Sequence, residues 1–302
     1  MTVPSYLKKG DTIAITCPAG FMLKEKTNAC VKSLQIQGYK VVVGKTVGSK
    51  SKNYFSGTDA ERLKEMQSFL DDKNVKAILC GRGGYGTGRI IDKLNFAKFV
   101  QHPKWIIGFS DITLLHSHIF SNYKIATLHA PMAAAFANTE HNPANVTSLL
   151  NALRGEKNNY TTKANKLNKV GGAKGKLVGG NIALLANAVG TPSDINTKNC
   201  ILFIEDIGEQ LYAIDRMLHQ LKRSGKLKNL AALIVGHFTD MQDTDRPFGK
   251  TIYEIISDIV AEYNYPVCYD FPVGHGNENV ALKVGVKYNL NVNKKGASLV
   301  EL

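Results

Sequence analysis

The chain has 302 residues, of which 44% are hydrophobic and 21% charged, the balance of a soluble globular protein long enough to favour two domains over one. It contains no apolar run of membrane-spanning length, and the start Met1-Thr-Val-Pro-Ser-Tyr-Leu-Lys-Lys-Gly-Asp lacks the order of a secretory signal, so a cytoplasmic location with no membrane partner is expected. The formal charge of +13 is dispersed and no nucleic-acid module accompanies it, so it bears on solubility and steering, and nucleic acid is not an expected partner.

In chain order the first half alternates strand and helix signals. Thr12 to Thr16 reads as a strand, Lys24 to Gln37 as an amphipathic helix and Lys40 to Val43 as a second strand. A polar loop through Tyr54 and Phe55 leads to a helix from Thr58 to Leu70, with Thr58 as N-cap and Glu61 completing a capping box. A buried strand follows from Val75 to Leu79, then a further helix, a strand over Trp105 to Ile107, a helix carrying Ile112, Leu115 and Ile119, and a strand near Ile125 to Leu128. This alternation predicts an α/β domain over residues 1–155, with a parallel sheet covered on both faces and functional groups at the C-terminal strand ends.

Composition changes near Gly155, and residues 156–175, rich in Lys, Asn, Thr and Gly, read as a linker. Beyond it, Gly179-Gly180-Asn181 opens an apolar helix. Cys200 to Ile204 and Leu230 to Val235 read as buried strands, and Ala213 to Lys222 and Thr251 to Tyr263 as helices. Ala281 to Leu302 alternates like antiparallel strands around a Lys-Lys-Gly turn, so residues 176–302 are expected to form a smaller, partly β domain.

Ser110 stands where the apolar run Trp-Ile-Ile-Gly-Phe passes into a helix, a place from which a hydroxyl can project while the first helix N–H groups face an oxyanion. The pattern Gly-x-Ser-x-Ile lacks the second glycine of the usual hydrolase elbow and is equally compatible with a simple helix cap. A serine hydroxyl needs a base, an orienter and oxyanion donors. Glu205 and Asp206 follow the strand Ile-Leu-Phe-Ile, and either could serve; His275 lies between two glycines in Val273-Gly-His-Gly-Asn277. Gly81-Arg82-Gly83-Gly84-Tyr85-Gly86 matches a dinucleotide fingerprint, but it does not follow the first strand and no acidic residue closes the next one. The same glycines can bring backbone N–H groups to a reacting carbonyl. The five cysteines, Cys17, Cys30, Cys80, Cys200 and Cys268, read as buried free thiols, and the histidines, His116, His118, His129 and His237 among them, form no metal-ligand pattern, so neither metal nor cofactor is expected.

Taken together, Cys80-Gly-Arg-Gly-Gly-Tyr-Gly86, Gly108-Phe-Ser-Asp111, Gly179-Gly-Asn181, Phe203-Ile-Glu-Asp206 with Tyr212-Ala-Ile-Asp-Arg216, and Gly274-His-Gly276 resemble the LD-carboxypeptidases in motif and in order, over nearly the whole chain. These cytoplasmic serine peptidases resemble the microcin C immunity peptidases. The resemblance implies Ser110 as nucleophile, Glu205 as orienter, His275 as general base, and the N–H of Asp111 with a glycine of the pair Gly83-Gly84 as oxyanion hole. It implies removal of the terminal D-alanine from a muropeptide tetrapeptide, or in a runner-up reading the hydrolysis of peptide-nucleotide antibiotics or other acylated amino acids. A non-catalytic binding protein on the same fold is the rival of another class. Arg82, whose guanidinium suits a terminal carboxylate, and Asn181 are the candidate substrate contacts, and a homodimer is expected. The chain departs from the family pattern at Ala130, in His129-Ala-Pro-Met132, where glycine would be expected.

Overall fold

The computed structural model describes residues 1–138 and 143–302, and its strands fall into two sheets. The first half runs β1 (Thr12–Thr16), α1 (Asn28–Ile36), β2 (Lys40–Val43), α2 (Asp59–Asp71), β3 (Val75–Cys80), α3 (Ala97–Gln101), β4 (Trp105–Gly108), α4 (Thr113–Tyr123), β5 (Thr127–His129) and α5 (Pro143–Arg154). Strands β5, β4, β3, β1 and β2 lie side by side and parallel. Successive side chains on such strands point to opposite faces, and both are apolar here. Ile13, Ile15, Leu79, Trp105 and Ile107 pack on one face with Leu34 of α1 and Leu149 and Leu153 of α5. Ala14, Ile78 and Ile106 pack on the other with Met66 and Leu70 of α2 and Leu115 and Ile119 of α4. The Thr58–Glu61 capping box is present, whereas the expected helix from Lys24 begins as a 3-10 turn, Lys24–Thr27, before α1.

The second half runs β6 (Asn159–Lys163), β7 (Gly171–Asn181), α6 (Ile182–Asn187), β8 (Cys200–Ile207), α7 (Leu211–Arg223), β9 (Ala232–Thr239), α8 (Ile252–Val260), β10 (Val267–Cys268), β11 (Leu282–Val284), β12 (Lys287–Asn293) and β13 (Gly296–Glu301). Its sheet has the order β10-β9-β8-β7-β12-β13-β6, parallel from β10 to β7 and antiparallel beyond. Helices α6, α7 and α8 cover Val178, Leu202, Ile204, Leu233 and Val235. The C-terminal hairpin β12–β13 is the one its alternation predicts, with the turn at Lys294 and Lys295.

The segment 156–175 is not an unstructured linker. It supplies edge strand β6, paired with β13, and the opening of β7, paired with β12. The partners of both strands come from the last part of the chain, and β6 is half-buried and exposed by turns, so neither signals itself by an apolar run. A strand of the second half joins the first sheet: β11 pairs antiparallel with β5, Leu282 opposite His129, while Leu282 and Val284 still pack with Leu177 and Ile201 of the second half. Among the described residues no helix is long and apolar enough to cross a membrane.

Candidate active site

Ser110 occupies the turn between β4 and α4, and its backbone is left-handed, with φ of +62°. Such a conformation costs a non-glycine residue about 1–2 kcal/mol and persists where the surroundings impose it. His116, buried on the next helical turns, donates from Nε2 to the Gly108 carbonyl at 2.8 Å and so braces the entry to the turn. Burial, opposed by that hydrogen bond, depresses its titration to about 4, so it acts as a neutral strut. Ser110–Ile112 forms a 3-10 turn leading into α4, and the first N–H groups of such a start have no partner within the helix.

The glycine-rich loop after β3 closes on this turn. A Cβ on Gly83 would lie 2.9 Å from the Ser110 Cβ and 3.1 Å from its Oγ, so only glycine allows this approach. Gly84, with φ of +93°, passes instead beneath the Tyr54 hydroxyl. Asp111, 1% exposed, turns its carboxylate away from solvent and accepts from the Thr87 N–H at 2.8 Å. Desolvation raises its titration against the pull of the Thr87 and Gly86 hydrogen bonds. The helix start and the loop are thus cross-linked beside the serine.

Glu205 and His275 come from the second half. Glu205 stands near the end of β8 at a register shift against β9, the kind of bulge that re-aims a side chain. It is fully buried, and its Oε2 accepts from His275 Nδ1 at 2.6 Å. Gly274, with φ of +128°, makes this possible, because a Cβ there would meet the Glu205 Cβ at 3.0 Å and Oε2 at 3.2 Å. The loop is pinned to α5 by Asn145, which donates to the Asn277 carbonyl and accepts from the Asn279 N–H, both at 2.8 Å. The His275 ring lies 4.8 Å, centroid to centroid, from that of Phe109, the residue before Ser110. Desolvation pulls the His275 titration down, but the hydrogen bond and charge of Glu205, with Asp206 behind, outweigh it, and the net shift is upward. With Nδ1 committed to Glu205, Nε2 is the nitrogen left for chemistry.

The structure separates the two acids that the sequence leaves open. Asp206 faces the other way, accepting from Asn181 Nδ2 at 2.7 Å, the Ala183 N–H at 3.1 Å and the Ile207 N–H at 2.8 Å at the start of α6. Asn181 is held by the same contacts. It caps α6 through the Leu184 N–H, donates its own N–H to Thr113 Oγ1 across the joint between the halves, and is 3% exposed. Arg82 is exposed, donates to the Phe21 carbonyl at 2.9 Å, and lines a cavity of about 460 Å³ with Lys26, Phe21 and Met22. His129 is wholly buried between Phe109, His116 and Phe203, and desolvation holds it neutral. All five cysteines are free and buried, and burial pushes the Cys80 thiol far up. Among the described residues no group of three or more His, Cys, Asp and Glu side chains is placed to hold a metal. No local sequence signal marks the brace at His116 or the buried Arg62, which donates to the Gly86 carbonyl at 3.0 Å.

Two family models match the chain: LD-carboxypeptidase N-terminal domain over residues 13–130 and LD-carboxypeptidase C-terminal domain over residues 174–290. A relative from Bacillus subtilis (strain 168), named "Probable murein peptide carboxypeptidase", is 35% identical over 297 residues, covering 97% of this chain and 93% of its own. The Escherichia coli "Microcin C7 self-immunity protein MccF" is 27% identical, with 98% of this chain and 94% of its own covered. Among solved structures, the muramoyltetrapeptide carboxypeptidase from Oxalobacter formigenes superposes with a TM-score of 0.87 at 28% identity, over 96% of this chain and 99% of that one.

Proposed function

The chain belongs to the LD-carboxypeptidase family, and from that premise we propose that it is a serine carboxypeptidase that hydrolyses the L,D-bond to the terminal D-alanine of muropeptide tetrapeptides in cell-wall recycling. The observation that carries the serine mechanism is the buried His275–Glu205 pair at 2.6 Å, its ring against Phe109 next to a strained Ser110. His275 Nε2 takes the Ser110 proton as Oγ attacks the scissile carbonyl. The oxyanion is held by the Asp111 N–H and an N–H of the Gly83-Gly84 pair. The imidazolium then protonates the departing amine of D-alanine, and water, deprotonated by the same imidazole, releases the shortened peptide from the acyl-serine. Arg82 is the candidate contact for the terminal carboxylate.

In this reading residues 1–155 bring the nucleophile and the oxyanion donors, and residues 176–302 bring the base and its orienter. The enzyme works in the cytoplasm, where five free thiols suit a reducing compartment, as a homodimer on small peptides and not on nucleic acid. A second reading, a peptidase of peptide-nucleotide antibiotics, is favoured by the likeness to MccF, and ranks behind because the 35%-identical relative carries a murein name. Fluorophosphonate labelling followed by peptide mapping tests the mechanism: the label is expected on Ser110, and its attachment elsewhere or not at all would remove the serine from the reaction.

A further inference from the structure

Arg62 is the unusual residue of the first domain. It lies on α2, a helix of mostly polar composition, yet is 0% exposed. Burying a guanidinium is costly unless its donors are used, and an apolar side chain could fill the same space. Its donors go to backbone carbonyls of two loops that bound the active site: Nη1 to Pro18, just after β1, and to Gly86 at 3.0 Å, at the end of the glycine-rich loop. Nη2 pairs with Asp59, which also holds Arg89 at 2.9 Å, and the Phe55 ring lies 4.9 Å from the guanidinium carbon. Nε has no partner among the described residues. One residue beyond Gly86, the Thr87 N–H is taken by the Asp111 carboxylate at 2.8 Å. Earlier in the loop, Gly81 donates to the Thr16 carbonyl at 2.7 Å and Gly83 accepts from the Gly20 N–H at 3.0 Å.

The loop is therefore anchored at four points, and the last two anchors are side chains. We propose that Arg62 and the Asp111 carboxylate are positioning residues that clamp the end of the glycine-rich loop against the nucleophile turn and so fix the distance between the two oxyanion donors. Asp111 does this from the residue whose own N–H is one of those donors, so its side chain ties the second donor's loop to the first donor. The inference rests on the serine reading given above. Donors aimed at the transition-state oxygen act on turnover more than on ground-state binding, which gives the clamp a signature that general loss of stability lacks.

The test uses the full chain and counts active sites by end-point fluorophosphonate labelling, so that turnover is expressed per labelled serine. Arg62→Lys and Asp111→Ala are expected to lower kcat per labelled site by about 10- to 100-fold with KM changed by less than about threefold, and to weaken a peptide boronic acid inhibitor by a similar factor. Asp111→Asn, which keeps an acceptor oxygen for Thr87, is expected to recover most of the loss. Unchanged kcat per labelled site in Arg62→Lys and Asp111→Ala, with only the labelled fraction reduced, would overturn the clamp. Should Arg62→Lys yield no labelled protein, the Asp111→Ala and Asp111→Asn pair decides alone: equal kcat in the two contradicts the proposal. Failure of the serine reading is distinct, since the wild-type protein would then carry no label on Ser110.

Discussion

His275 Nδ1 and Glu205 Oε2 lie 2.6 Å apart although 70 positions separate them in the chain, and the carboxylate is fully buried. The pairing dictates a pH dependence. A general base works in its neutral form, and Glu205 raises the His275 titration above the ordinary 6.5 against desolvation. Activity should therefore fall as pH drops through a value above 6.5 in the wild-type protein. In Glu205→Gln the hydrogen bond to a charge is gone and desolvation dominates, so the acid limb of kcat/KM should move below 6.5, with turnover reduced. A limb that stays in place in the variant would show that Glu205 is not its source.

Ser110→Ala should lower kcat by roughly 10⁴- to 10⁶-fold, the scale of losing a triad nucleophile, without loss of thermal stability. Replacing a left-handed serine by alanine removes the hydroxyl and leaves the backbone demand as it was. Incubation with EDTA should leave wild-type turnover unchanged. Inactivation that zinc reverses would contradict the serine mechanism.

Gly83→Ala tests the closeness of loop and nucleophile. The added methyl would sit 2.9 Å from the Ser110 Cβ, so either the loop or the serine must move. A loss of about 10²–10³ in kcat is expected, comparable to losing one oxyanion donor, while far-ultraviolet dichroism stays that of the wild type. Gly172→Ala, at a glycine outside the left-handed region whose added Cβ would meet only the Leu290 carbonyl at an ordinary 3.9 Å, controls for the general effect of filling a glycine.

Much of this site is legible in the sequence because local signals mark it. Strands β1 and β2 and the capped helix α2 follow from short apolar runs and a capping box, and Ser110, Glu205 and His275 stand at strand ends or between glycines. The choice between Glu205 and Asp206 is not local: it turns on the register shift opposite β9 and on the start of α6. Strand β6, Asn-Tyr-Thr-Thr-Lys, has no apolar face of its own, and β7 begins in glycine and lysine, so both depend on hairpin β12–β13 for recognition. Arg62 reads as one more charge on a polar helix, because the carbonyls of Pro18 and Gly86 that bury it are brought there only by tertiary structure.

Asp206 carries a stability prediction. Desolvation, with the Glu205 charge adding to it, raises its titration from 3.8 to about 6 against the hydrogen bonds of Ile207, Asn181 and Ala183. A folded-state value above the unfolded one stabilises fully below about 4, and that contribution, on the order of 3 kcal/mol, is lost as pH rises through about 6. Thermal stability of the wild-type protein should therefore carry a component that declines over this window, and Asp206→Asn should lack it. Parallel melting profiles for the two proteins between pH 4 and 6 would show that Asp206 titrates normally.

Which bond the enzyme cleaves is read from mass spectrometry of the products of matched muropeptide tetrapeptides ending in D-alanine or L-alanine. The expected result is release of one alanine, leaving a tripeptide, from the D-terminated substrate alone, and no release by Ser110→Ala. Equal release from both substrates, or cleavage at an internal bond, would contradict the assignment of an LD-carboxypeptidase acting through Ser110.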